Sequence, residues 1–180
     1  GLEAPELLLH TGDLVGSGGN LGDWQSFFEI VRDLLRSVPI FPAIGNHDTQ
    51  GLLRRGENFR TYFSLPDDAP NPERYYSFSW GNSRFIVLDT NEPSFSLAEQ
   101  TLWLEEQLAA AVADPEVRHL FAMMHHPVYS TSTHGPHEAA RVREAAIVPY
   151  AMDKLQAIPG VHLLAPAVRH RLAMLSFWVE

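Results

Sequence analysis

Ile40-Phe41-Pro42-Ala43-Ile44-Gly45-Asn46-His47-Asp48 is the stretch on which the reading of this chain turns. An apolar run gives way at once to a glycine, a neutral amide, an imidazole and a carboxylate. The apolar part reads as a short buried strand, and the polar part as the loop it delivers at its C-terminal end. Turn chemistry alone accounts for Gly, Asn and Asp there. It accounts less well for a His wedged between Asn and Asp directly after a strand.

The same arrangement recurs on either side. Glu6 to His10 (ELLLH) is a short apolar strand that empties into Thr11-Gly12-Asp13, and His119 to Met124 empties into His125-His126-Pro127. Taken singly, Gly12-Asp13 reads equally as a turn or a helix cap. His125-His126 alone reads as one packed and one solvated imidazole. Taken in order, three strands each end in a loop carrying oxygen or imidazole ligands: Asp13, then Asn46 and His47, then His125. Ligands at the C-terminal ends of neighbouring strands converge in open αβ sheets.

Between these loops, Trp24, Phe27, Phe28, Val31, Leu34 and Leu35 follow helical spacing, with Asp23 as the expected N-cap and an end before Pro39. Residues 49 to 73 read as loop with a short helical piece around Asn58 to Phe63. Tyr76, Phe78 and Trp80 alternate with serines, and after Gly81-Asn82 comes Phe85-Ile86-Val87-Leu88, a hairpin pattern. Ser96-Leu97-Ala98-Glu99 opens a helix through about Val112. A further helical stretch is expected from about Glu138 to Ala157, broken near Pro149, and a last strand from Val161 to Leu164. The pattern predicts one layered α/β domain with helices covering the sheets.

The chain of 180 residues has no cysteine, which excludes disulfides, thiolate metal sites and thiol nucleophiles. Its formal charge of -9 argues against general nucleic-acid binding, which needs a basic surface. It leaves room for a small phosphorylated substrate, because bound cations reverse the local field in a cleft. Nine His beside 22 acidic residues suit metal chemistry. No apolar run reaches membrane-spanning length, and no charged-then-apolar leader is present. Gly1 precedes the first core strand by only a few residues, which reads as a truncated start.

With these residues in view, the sequence resembles the calcineurin-like metallophosphoesterases, and among them the purple-acid-phosphatase-like branch. The resemblance runs from about Leu7 to Leu164. It rests on Gly12-Asp13, Gly45-Asn46-His47-Asp48 and Met124-His125-His126-Pro127-Val128-Tyr129-Ser130. Tyr75-Tyr76-Ser77-Phe78, Phe85 to Thr90 and Gln100-Thr101-Leu102-Trp103-Leu104 support it. The resemblance implies a layered, metallophosphoesterase-type β-sandwich flanked by helices, with residues 1–164 as its core, incomplete at both ends, and 165–180 as an atypical tail. It implies that Asp13 bridges two metal ions (Mn, Fe or Zn) and that Asn46 and His125 hold the second. His47 would contact the phosphoryl group as transition-state stabiliser or proton donor, oriented by Asp48. His134, with His137 behind it, stands where the branch places a substrate-lining His. Two ions held close together by a carboxylate activate water for in-line displacement, which removes the need for a Ser or Cys nucleophile.

The chain departs from the family pattern in three places. The Asp-x-His motif of the first metal site is absent. In place of the closing Gly-His-x-His stands Ala167-Val168-Arg169-His170, so His170 is either a surviving ligand or a His of an unrelated tail. Gly16 occupies the position of the branch's metal-binding Tyr, so no purple charge-transfer band is expected. The resemblance implies hydrolysis of phosphate esters, with monoesters favoured, in an extracellular or periplasmic setting. Two alternatives remain: a phosphodiesterase of the cyclic-nucleotide type on the same fold, and a non-catalytic fragment binding one metal or none.

Overall fold

β1 (Leu8–His10) and β2 (Ile40–Pro42) lie side by side and parallel, with Leu8 opposite Ile40 and His10 opposite Pro42. A computed structural model of the chain describes residues 4–51, 55–91, 97–126, 161–163 and 174–179. Because the two strands run parallel and in register, the Gly12-Asp13 and Gly45-Asn46 loops leave the same edge as neighbours. The Ala43 amide extends the ladder by one bond, to the His10 carbonyl at 2.8 Å.

The second sheet has the order β3-β4-β5-β7-β6, with β3 (Tyr76–Trp80), β4 (Ser83–Val87), β5 (His119–Met123), β6 (Val161–Leu163) and β7 (Met174–Val179). β3 and β4 form the expected hairpin, with Gly81 at φ 57 in its turn. That conformation costs glycine little. β4 and β5 pair in parallel, so residues 88–91 and 124–126 also leave one edge together. Phe41 of the first sheet stacks on Phe78 of the second at 3.9 Å, and the stack continues through Phe85 to Phe121. The Tyr76 hydroxyl donates to the Pro42 carbonyl at 3.0 Å across the same junction. The layered α/β sandwich expected from the sequence is therefore present.

Two details add to the sequence reading. Met174–Val179, within the stretch read as an atypical tail, forms β7 and pairs antiparallel with both β5 and β6. The first helix, α1 (Leu21–Leu35), is capped by Asn20 rather than Asp23. Asn20 has the extended conformation a cap requires, and its side chain accepts from the Gly22 amide at 2.9 Å. Asp23 lies inside the first turn, where its charge complements the helix dipole, and it accepts from Ser17 and Asn20.

α1 buries Trp24 completely against Phe27, Phe28, Phe59 and Phe63, the last two from α2 (Glu57–Tyr62) and its cap. Burying an indole removes roughly 200 Å² from water, on the order of 5 kcal/mol. Trp24 Nε1 donates to the Gly18 carbonyl at 2.8 Å, and the Gly18 amide donates to the His47 carbonyl at 2.8 Å. The helical core is thereby tied to the Gly45–Asp48 loop. α3 (Leu97–Ala113) buries Trp103, Leu104, Leu108 and Ala111. The helix expected over 138–157 lies outside the described residues.

Candidate metal centre

The centre is built where the two strand edges face each other. Gly12 (φ 95) and Asp13 (φ 55) both adopt the left-handed region, which turns the chain sharply after β1. In a non-glycine residue that conformation costs on the order of 1–2 kcal/mol. Asp48 compensates. Its buried carboxylate accepts from the amides of Asp13 (2.8 Å), Leu14 (2.9 Å), Val15 (3.3 Å) and Gly45 (2.8 Å). One side chain thus fixes both loops to each other.

That geometry places Asp48 against the backbone. Its oxygens are spent on backbone amides, so it does not hold the His47 ring. The ring is held instead by the Gly16 carbonyl, 2.7 Å from Nδ1. Since a carbonyl only accepts, Nδ1 carries the proton and Nε2 is the ring's other working atom. His47 itself is exposed, and its amide donates to Asp13 Oδ1 at 2.9 Å.

His125 brings the second sheet into the centre. Its Nδ1 lies 2.8 Å from the Thr11 carbonyl, while Nε2 lies 3.0 Å from Asn46 Oδ1 and 3.3 Å from Asp13 Oδ2. Two ligands about 2.1 Å from a common ion stand roughly 3.0–3.4 Å apart at octahedral to tetrahedral angles. The separations of Asn46 Oδ1 and Asp13 Oδ2 from His125 Nε2 therefore suit one bound cation. A histidine whose second nitrogen is tied to a backbone carbonyl is the usual arrangement for a metal ligand. Among the described residues no three His, Cys, Asp or Glu side chains form a metal-holding group, and the third donor here is the Asn46 amide.

The charges respond to this crowding. Burial alone lowers the His125 pKa, but the hydrogen bond and charge of Asp13, aided by the Thr11 carbonyl, raise it above 6.5. Burial would raise Asp13, yet bonds to His125 and to the His47 amide bring it below 3.8. Burial pushes Asp48 up to about 6 against its amide donors, with the Asp13 charge adding to the rise.

Two participants escaped the sequence reading. His10, half-buried at the end of β1, accepts from the Gly12 amide at 3.2 Å. Its pKa is lowered by burial and then by the His125 charge. A His closing the strand before the first loop was the available signal. Thr90 Oγ1 lies 2.8 Å from His126 Nδ1 and accepts from the His126 amide at 3.2 Å, which anchors the strand end that presents His125. His134, His137 and His170 lie outside the described residues.

With this geometry established, likeness to known proteins is informative. The family model for calcineurin-like phosphoesterases matches residues 2–165. An uncharacterized protein of Mycobacterium tuberculosis is 29% identical over 150 residues, 72% of this chain and 28% of that protein. Purple acid phosphatase 15 of Arabidopsis thaliana is 30% identical over 137 residues, 73% of this chain and 24% of its own length. Among solved structures, a purple acid phosphatase from yellow lupin (Lupinus luteus) seeds matches with a TM-score of 0.56 at 26% identity, covering 71% of this chain and 24% of that one. The chain thus spans about a quarter of the length of the relatives it matches.

Proposed function

The chain belongs to the calcineurin-like phosphoesterase family, with relatives in its purple-acid-phosphatase-like branch, and from that premise we propose that it carries part of a metal-dependent phosphoester hydrolase centre. One observation supports this above all: Asp13 Oδ2, Asn46 Oδ1 and His125 Nε2 converge beside an exposed His47. Asp13 is proposed as the bridging carboxylate, with Asn46 and His125 as ligands of the second ion. Mn, Fe or Zn suit these hard oxygen and imidazole donors. Ions held there by Asp13, Asn46 and His125 would supply Lewis acidity toward water and phosphoryl oxygens.

The chain's own residues do the rest. His47, oriented by Gly16, donates Nε2–H from its imidazolium form to a phosphoryl or leaving-group oxygen. Asp48 acts through the backbone, keeping Asp13 and Asn46 within reach of each other. Phosphomonoesters are the proposed substrates, and an extracellular or periplasmic setting is the proposed compartment. No described helix is long and apolar enough to cross a membrane.

Metal analysis combined with turnover of p-nitrophenyl phosphate and its bis ester tests the reading. Bound metal with monoester turnover supports it, and a clear diester preference replaces it with the phosphodiesterase reading. Absence of both metal and turnover rejects catalysis by this chain and leaves the non-catalytic fragment.

A further inference from the structure

Behind the Gly45–Asp48 turn lies a buried ion pair that none of the roles above uses. Arg74 and Asp89 are in direct ionic contact, and both side chains are almost wholly buried. Arg74 Nη1 also donates to the Arg55 carbonyl at 2.8 Å. Asp89 Oδ1 accepts twice from Asn91, from the backbone amide and from Nδ2, each at 2.8 Å. The same Nδ2 donates at 2.9 Å to the carbonyl of Ile44, the residue before Gly45. On the far side, Gln100 of α3 closes a reciprocal pair of 2.9 Å bonds with the Asp89 backbone.

A buried ion pair is a poor device for stability alone, since desolvation consumes most of its Coulombic gain. What it supplies here is direction. Asp89 Oδ1 and the Ile44 carbonyl both accept only, so they fix which end of the Asn91 amide faces them. Arg74 holds the Asp89 side chain in that position through their ionic contact. The turn is then gripped from two sides, by Asn91 at Ile44 and by Asp48 at the Gly45 amide.

We propose that Arg74, Asp89 and Asn91 are positioning residues that set the register of the Gly45–Asp48 turn, and so of Asn46 and His47, against Asp13 and His125. The inference rests on the reading of Asn46 as a metal ligand. Asn91→Leu removes the donor at similar volume, and Asn91→Ser serves if the first variant does not fold. Amide exchange by NMR and Mn²⁺ affinity by titration are the two readouts. The amides of Gly45 and His47 should exchange about tenfold faster, the factor expected for one lost buried hydrogen bond, while those of α3 and β4 keep their rates. The Mn²⁺ dissociation constant should rise by a similar factor. Unchanged exchange at the turn overturns the proposal, as does a uniform rise that tracks global stability. Faster exchange at the turn with unchanged Mn²⁺ affinity overturns it as well, and so does failure of both variants to fold. If the unaltered chain binds no Mn²⁺, the metal reading fails, and the exchange rates still decide the positioning role.

Discussion

His125 Nε2 stands 3.0 Å from Asn46 Oδ1 while the ring's Nδ1 is committed to the Thr11 carbonyl. Asp13 Oδ2 is 3.3 Å away on the same side. Nε2 therefore faces two oxygens, and either a proton or a metal cation must lie between them. The Asp13 carboxylate favours a proton on that nitrogen, which raises the His125 pKa.

A pH window follows for the metal-free chain. Asp13 lies below its ordinary 3.8, so its share of stability is present above 3.8 and lost as pH falls through the lowered value. His125 lies above 6.5, so its share is present below 6.5 and lost as pH rises through the raised value. Both are in full between 3.8 and 6.5. The Tm difference between the chain and its Asp13→Asn variant should be largest in that window and shrink on both sides. A difference that keeps growing above 6.5 contradicts the pairing.

His47→Ala separates chemistry from structure. The ring is exposed, and its contacts are the Gly16 carbonyl and a 3.4 Å approach of Gln50. Stability should change by less than about 0.5 kcal/mol. Metal uptake should persist, and turnover of p-nitrophenyl phosphate should fall roughly 10²–10⁴-fold, the range for loss of a general acid. Metal loss in this variant would make His47 a ligand instead.

Asp48→Asn should act on the fold rather than on the His47 ring. The substituted amide places an NH₂ against inward-pointing N–H groups from Asp13 and Gly45, or from Leu14 and Val15. Leaving such donors unsatisfied costs about 2–4 kcal/mol in total. Urea unfolding near pH 8, where a carboxyl pushed up to about 6 is ionised, measures it. A change within error would mean the amides find other acceptors.

Much of this site was legible because its side chains sit where hydrophobic periodicity stops. The strands before Asp13, Asn46 and His125 announce themselves, and parallel pairing does the rest. The role of Asp48 was not legible, because its partners are amides whose direction depends on the left-handed turn at Gly12 and Asp13. The Gly16 carbonyl was hidden for the same reason: no side chain advertises it. β7 was not legible as part of the sheet, because its short apolar run MLSFWV does not by itself reveal the pairing with β5 and β6.

Gly12→Ala, compared with Gly81→Ala, tests whether the approach of the first loop to His125 is a steric necessity. Both glycines have positive φ, 95 and 57, so both substitutions incur the backbone cost of about 1 kcal/mol. At Gly81 a Cβ meets nothing within 4 Å, and the cost should end there. At Gly12 the same carbon would lie 2.8 Å from His125 Nδ1 and 2.8 Å from the Gly45 amide nitrogen. Neither neighbour can yield freely, since Nδ1 is bonded to Thr11 and the Gly45 amide to Asp48. Overlap of that kind adds about 1–3 kcal/mol, so the urea midpoint of Gly12→Ala should fall well below that of Gly81→Ala. Mn²⁺ affinity should drop in Gly12→Ala alone, because only there is His125 pushed away from Asn46. Equal midpoints and equal affinities in the two variants would mean that the loop relaxes and that the His125 placement does not depend on a bare backbone at position 12.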